Sequence, residues 1–264
     1  MVHLLGVPFD ANSSFLRGAA LAPARIRETL HSGSSNWFTE MGVDLAAGGW
    51  ADGGDVALPP APGDLPALTT TVEGILERGD RVLALGGDHS VTYPLVRAHA
   101  RYFPSLTILH LDAHPDLYDS LDGNRFSHAC PFARIMEDGL AARLVQVGIR
   151  TLNSQQRDQA ERFGVEIIDM RDWSRGRRPD VSGPFYLSLD LDALDPAYAP
   201  GVSHHEPGGL TTREVIDLLH TLPGPLLGAD LVEFNPVRDA AGITAAVAAK
   251  LVKEILGRMI KEAS

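Results

Sequence analysis

Seven short apolar runs punctuate the chain: Val2–Val7, Arg81–Leu85, Leu106–Leu111, Leu144–Val147, Val165–Ile168, Phe185–Leu189 and Leu226–Leu231. They are rich in Val, Ile and Leu and nearly continuous, the pattern of strands buried on both faces. Between them lie segments of helical period. Leu65–Arg78 is opened by Asp64, Val91–Tyr102 by Ser90, and Gln155–Phe163 is preceded by Ser154. Thr211 and Glu214 form the ends of a capping box ahead of Arg213–Leu222, and Ile243–Glu262 reads as a packed amphipathic helix. Alternating strands and helices predict an α/β fold, a parallel sheet covered by helices on both faces. Gly and Pro gather at 48–63 and 199–209, which read as loops rather than a domain boundary. The expectation is a single domain over residues 1–264.

Open parallel sheets bind ligands beyond the carboxyl ends of their strands, so the polar residues that follow each run carry the information. Arg81–Leu85 is followed by Gly86-Gly87-Asp88-His89, and Leu106–Leu111 by Asp112-Ala113-His114-Pro115-Asp116. Phe185–Leu189 delivers Asp190-Leu191-Asp192, and Leu226–Leu231 delivers Glu233. Acids and histidines therefore converge on one edge. Asp112, His114 and Asp116 share a face of an extended chain, as do Asp190 and Asp192, and His89 joins from a third strand. Four carboxylates and two imidazoles cannot be buried together without counter-charge. Two divalent cations would balance them. Oxygen-rich ligands with two imidazoles suit Mn²⁺ better than zinc, with Co²⁺ or Ni²⁺ as further options. Paired metals suit hydrolysis, because both lower the pKa of a shared water.

With 34 acidic residues against 23 basic ones, the net charge of −11 argues against nucleic acid or an anionic membrane as partner. The one dense basic stretch, Arg175-Gly176-Arg177-Arg178, is explained by a solvated loop. A single cysteine, Cys130, excludes an internal disulfide framework and reads as a small core residue. With no apolar stretch of membrane-spanning length and no basic leader pattern at the N-terminus, the expected location is the cytoplasm. Neither a Gly-Xaa-Gly-Xaa-Xaa-Gly nor a Walker A loop occurs, which disfavours dinucleotide and P-loop chemistry.

The blocks GGDHS (86–90), DAHPD (112–116) and SLDLDALDP (188–196) resemble the signatures of the ureohydrolase family, which includes arginases and agmatinases. GVPFDANSSFLRG (6–18), GNRFSHACPFARIME (123–137), APGVSHHEPGGLT (199–211) and GADLVEFNPVRD (228–239) are most similar to plant arginases and their bacterial relatives. The resemblance implies a three-layer α/β/α sandwich around a parallel eight-stranded sheet and a homo-oligomer, trimer or hexamer. It implies two Mn²⁺ per chain: His89 and Asp116 on one, His114 and Asp192 on the other, Asp112 and Asp190 bridging. Glu233 would pair with the guanidinium of a small substrate, matching a carboxylate to a permanently charged fork. His128 would be the acid/base histidine, with a near-neutral pKa. The implied reaction is attack of a metal-bridging hydroxide on a guanidino group, releasing urea.

Substrate choice stays open between L-arginine and agmatine, with guanidinobutyrate and guanidinopropionate behind them. Gly148-Ile149-Arg150 is followed by Thr151, Leu152 and Asn153, without the acids that many arginases place there to grip the α-amino group. Asn124, Arg125 and Ser127 could instead meet a carboxylate, and Asn153 is a further candidate substrate-binding residue. His204 or His205 either lines the pocket or stabilises its loop. His110, in mid-strand, reads as a core histidine; Asp88 and Ser90 read as loop and cap residues. A catalytically silent subunit would not retain every competent residue, and a one-zinc deacetylase on a related scaffold would need fewer acids.

Overall fold

In a computed structural model, which describes residues 1–262, the chain folds around one parallel eight-stranded sheet. Its strands are β1 (Val2–Gly6), β2 (Trp50–Asp55), β3 (Arg81–Leu85), β4 (Thr107–Leu111), β5 (Arg143–Ile149), β6 (Glu166–Asp169), β7 (Phe185–Asp190) and β8 (Leu226–Val232), in the spatial order β2-β1-β3-β8-β7-β4-β5-β6. The helices are α1 (Ala22–Leu30), α2 (Pro66–Leu76), α3 (Thr92–Ala100), α4 (Pro131–Glu137), α5 (Ser154–Phe163), α6 (Met170–Ser174), α7 (Thr212–Thr221) and α8 (Ile243–Lys261).

Alternate residues of the strands other than β2 feed two separate cores. Leu83, Leu85, Leu109, Leu111, Leu187 and Leu189 pack with Ile26 of α1, Trp173 of α6, Val215 of α7 and Leu251 of α8. Val82, Ala84, Ile108, Leu144 and Tyr186 pack on the other face with Leu68 of α2, Val96 of α3, Phe132 of α4 and Ala160 of α5. Helices on both faces make this the expected three-layer α/β sandwich.

The register decides where the chemistry emerges. Leu85 lies opposite Leu231, Leu231 opposite Leu189, and Leu189 opposite Leu111. One row of buried leucines thus levels the carboxyl ends of β3, β8, β7 and β4, the four central strands. The segments after them leave the sheet at the same height.

One run of loop residues proves to be a strand. The Gly-rich 48–63 segment contains β2, which pairs with β1 at the sheet edge and exposes most of its side chains. It has no apolar pattern because it buries neither face. Backbone pairing and the Arg27 guanidinium, bonded to both Asp52 and Asp55, hold it instead. The short α4 and α6, with 7 and 5 residues, lack the length to display a helical period. At α5 the cap is Asn153, one residue before Ser154, and the Thr211–Glu214 capping box forms at α7.

Gly87, just beyond β3, is where this level edge is tightest. A Cβ there would lie 1.6 Å from the Phe9 carbonyl oxygen, which accepts the Asp88 N–H. The Gly87 carbonyl in turn accepts the Glu233 N–H at 2.9 Å. Gly87→Ala is expected to cost about 3 kcal/mol or more, read as a fall in the denaturant midpoint. An unchanged midpoint would show that the β3 loop can move aside.

Candidate metal centre and cleft

Beyond β3, Asp88 accepts the Ser90 N–H and starts a short 3₁₀ turn over His89–Val91, which turns the His89 ring under the sheet edge. His89 is fully buried, and its Nδ1 lies 3.1 Å from Asp112 Oδ2, 3.1 Å from Asp116 Oδ2 and 3.2 Å from Asp190 Oδ2. Despite this company Nδ1 makes no hydrogen bond. A second group adjoins the first: His114 Nδ1 is 2.9 Å from Asp192 Oδ2 and 3.4 Å from Asp112 Oδ1. Asp112 belongs to both. A buried imidazole nitrogen ringed by carboxylate oxygens but bonded to none has the donor chemistry of a divalent-cation site. The residues present therefore fit a metal, and Asp112, His114 and Asp192 by themselves converge closely enough to hold one.

The electrostatics agree. Burial, and then the neighbouring Asp192 and Asp112 charges, hold Asp190 well above the ordinary carboxylate range. Burial and Asp112 raise Asp192 to about 6 against the pull of His114. Burial opposes the charged form of His89, yet Asp112, Asp116 and Asp190 raise it well above normal. Positive charge is what this nest attracts.

Two of its residues adopt backbone conformations that side chains rarely take. Asp116 has φ 48° and Glu233 φ 62°, at an estimated cost of roughly 1–3 kcal/mol each. For Glu233 the turn brings Oε1 to the His89 N–H at 2.9 Å and to His128 Nδ1 at 2.8 Å. His128 Nε2 reaches Ser14 Oγ at 2.8 Å. Burial would lower the His128 pKa, but Glu233, Asp88 and Asp116 outweigh it and raise it to about 9. The near-neutral value expected from the sequence is corrected accordingly. At neutral pH the ring carries both protons, because a buried carboxylate is its partner.

A cleft of about 270 Å³ opens over these groups, lined by His114, Asp116, Asp190, Asp192, His128 and Glu233, and by Ser14, Tyr118, Thr151, Gln156, His204 and Glu206. His204 lies between His128 and His114, with ring centroids 5.4 Å and 5.8 Å away, and burial lowers its pKa. His205 instead bonds the Pro200 carbonyl at 2.7 Å. The loop thus assigns one histidine to the cleft and one to itself.

The other residues expected at the substrate do not line the cleft. Asn124 bonds Asn12 and the Phe126 N–H, Ser127 accepts the Ala129 N–H, and Arg125 pairs with Asp119 and Glu137. Asn153 caps α5 and donates to the Tyr118 hydroxyl at 2.5 Å, so it touches the site through Tyr118. Their polar groups are consumed by turn and cap hydrogen bonds, which residue type alone does not disclose. His110 Nε2 meets Asp112 Oδ2 at 2.7 Å while Gln146 Nε2 meets its Nδ1 at 3.0 Å, so His110 orients an acid.

Ser188 and Asp230 were hidden inside apolar runs, and the signal was their polarity in fully buried strands. Ser188 Oγ meets His89 Nε2 at 2.9 Å and donates to Asp230 Oδ1 at 2.7 Å. Tyr186 and Thr92 hydroxyls donate to Asp230 Oδ2 at 2.8 Å and 3.1 Å. This chain directs the Nε2 proton to Ser188 and leaves the Nδ1 lone pair facing the space among the acids, where it can bind a cation. Asp230→Asn is expected to weaken metal affinity by about 10- to 100-fold, measured by chelator competition. Unaltered affinity would make the chain a packing feature only.

The sequence model of the arginase family matches residues 1–257. The chain is 49% identical to "Arginase 1, mitochondrial" of Arabidopsis thaliana, covering 98% of this chain and 81% of that protein. It is 33% identical to the agmatinase of Bacillus anthracis, covering 98% and 92%. Among solved structures, the arginase from Medicago truncatula superposes with a TM-score of 0.92 at 45% identity, covering 98% of this chain and 87% of that one. Proclavaminate amidino hydrolase from Streptomyces clavuligerus follows at 0.86 and 30%, covering 99% and 92%. The names of the plant relatives, mitochondrial for Arabidopsis and rice and chloroplastic/mitochondrial for a second Arabidopsis protein, overturn the cytoplasmic expectation. That expectation leaned on the lack of a leader pattern and of a membrane-spanning stretch, and neither separates the cytoplasm from an organelle interior. Among the described residues no helix is long and apolar enough to cross a membrane. Matched by the family model over residues 1–257, and superposing closely on a solved arginase over 98% of its length, the chain belongs to the arginase family.

Proposed function

We propose that the protein hydrolyses L-arginine to ornithine and urea with two Mn²⁺ in the acid–histidine nest. The observation that carries this reading is the placement of Glu233 and His128 in one cleft with His114, Asp116, Asp190 and Asp192. His89, Asp112, His114, Asp116, Asp190 and Asp192 would hold the ions. When bound there, two divalent cations supply a water of lowered pKa as nucleophile at neutral pH.

The chain's own residues do the rest. Glu233 spends Oε1 on His89 and His128, leaving Oε2 for a guanidinium N–H. Water adds to the guanidinium carbon, a carbon–nitrogen bond breaks, and the departing nitrogen takes a proton from His128. A histidine raised to about 9 by Glu233 is charged at neutral pH and suited to donating that proton.

Agmatine is the second reading, favoured by one feature: among the described residues no Lys or Arg lines the cleft to receive a substrate carboxylate. Arginine stands first because the plant relatives at 45–49% identity are named arginases, against 32–33% for the agmatinases. A urea assay over arginine, agmatine, guanidinobutyrate and guanidinopropionate decides. Dialysis against chelator is expected to abolish urea release and Mn²⁺ to restore it; silence of the Mn²⁺-loaded protein on all four compounds would end the proposal. A trimer or hexamer belongs to the same reading and is measured by light scattering.

A further inference from the structure

His128 is buried, and both nitrogens of its ring are engaged. Nδ1 meets Glu233 Oε1 at 2.8 Å, and Nε2 meets Ser14 Oγ at 2.8 Å. Among the described residues these are the ring's hydrogen-bond partners, so a proton reaches or leaves His128 past one of the two. Glu233 is itself buried, and as a carboxylate beside a charged ring it has no proton to give. Ser14 is exposed, lines the cleft and carries a hydroxyl that both donates and accepts. It is the ring's link to water.

The loop that carries Ser14 is fixed on both sides of it. The Asn12 N–H donates to Asp88 Oδ2 at 3.0 Å, its side-chain amide to Ser90 Oγ at 3.0 Å, and its carbonyl accepts the His128 N–H at 3.1 Å. Beyond Ser14, the Leu16 carbonyl accepts from Ser203 Oγ at 2.8 Å and from Asn235 Nδ2 at 2.9 Å. Leu16 takes φ 38°, a left-handed turn that side chains rarely adopt and that these two bonds hold in place. The hydroxyl thus meets His128 from a restrained backbone, with one side-chain torsion left free.

We propose that Ser14 is the proton relay that recharges His128 between turnovers. The relay rests on the hydrolase reading, in which His128 gives a proton to the departing nitrogen. Because Glu233 holds the Nδ1 proton, the one transferred is on Nε2. The Nε2–H bond breaks, an N–H bond of the amine forms, and the ring is left neutral. Ser14 then donates its hydroxyl proton to Nε2 and takes one from a water at the cleft mouth. One Oγ–H bond breaks and another forms, the ring regains its charge, and buffer in the bulk neutralises the hydroxide left behind. Rotation about the free torsion withdraws the hydroxyl while a substrate nitrogen occupies its place.

Ser14→Thr and Ser14→Val put nearly the same shape in the loop, with and without a hydroxyl. In the Mn²⁺-loaded enzyme, Ser14→Thr is expected to keep kcat within about threefold of wild type, since the relaying group is retained. Ser14→Val is expected to lower kcat by about tenfold or more, with KM within about threefold. Raising buffer concentration at constant pH and ionic strength is expected to restore Ser14→Val by about threefold or more, because a small acid then recharges the ring. Wild type is expected not to respond. A purely structural Ser14 would not make recovery depend on buffer. Equal kcat for the two variants, or a Ser14→Val rate that stays flat with buffer, would overturn the relay. Either result beside a wild type that releases urea removes the relay alone. A wild type silent on every guanidino compound removes the hydrolase reading and the relay with it.

Discussion

Asp112→Asn is expected to abolish bound metal and reduce urea release by more than the 10- to 100-fold that a change behind the ligands causes. Asp112 is the carboxylate common to both imidazole groups: Oδ2 faces His89 Nδ1 at 3.1 Å and Oδ1 faces His114 Nδ1 at 3.4 Å. It is fully buried, and the His110 and His114 contacts hold it well below the ordinary carboxylate range although burial pushes the other way. The amide retains the shape and the bond from the His114 N–H but removes the charge that both ions would share. Metal analysis of the dialysed variant, alongside the urea assay, reads both consequences. Full metal content with normal turnover would remove Asp112 from the ligand set.

His128→Asn is expected to lower kcat by about 10²- to 10⁴-fold, the range for losing a positioned general acid, with metal content unchanged. Unlike Asp112, His128 is tied to Glu233 and Ser14, so its removal leaves the acid nest intact. The pair of measurements separates the roles: one variant loses metal and rate together, the other loses rate alone. Metal loss on His128→Asn would place this ring among the ligands, and a rate within a few-fold of wild type would deny it the proton-donor role.

Much of this arrangement was legible in the residue order. Long apolar runs such as Leu106–Leu111 and Phe185–Leu189 read as strands because both faces are buried, and the residues following them read as the site because parallel sheets present their carboxyl ends on one edge. The edge strand β2 did not, since Asp52, Gly53, Gly54 and Asp55 are exposed and no burial period marks them. Asn124, Ser127 and Asn153 looked like substrate contacts because amides and hydroxyls suit that role. In the folded chain their hydrogen-bonding capacity goes to turns and a helix cap. Asp230 and Ser188 were invisible as functional groups inside the strand runs, although each is fully buried and joined to His89.

The sequence by itself determined the fold class, the edge at which chemistry would gather and the residue types that gather there, because these follow from local periodicity and from the charge a buried acid cluster requires. Only the tertiary structure decided the pairings. It levelled β3, β8, β7 and β4 through Leu85, Leu231, Leu189 and Leu111, and it set the left-handed turns at Asp116 and Glu233. It also turned His204 toward His128, with His205 bonded to Pro200. Residues separated by more than a hundred positions, such as His89 and Glu233, meet through strand order and register, which no local pattern encodes.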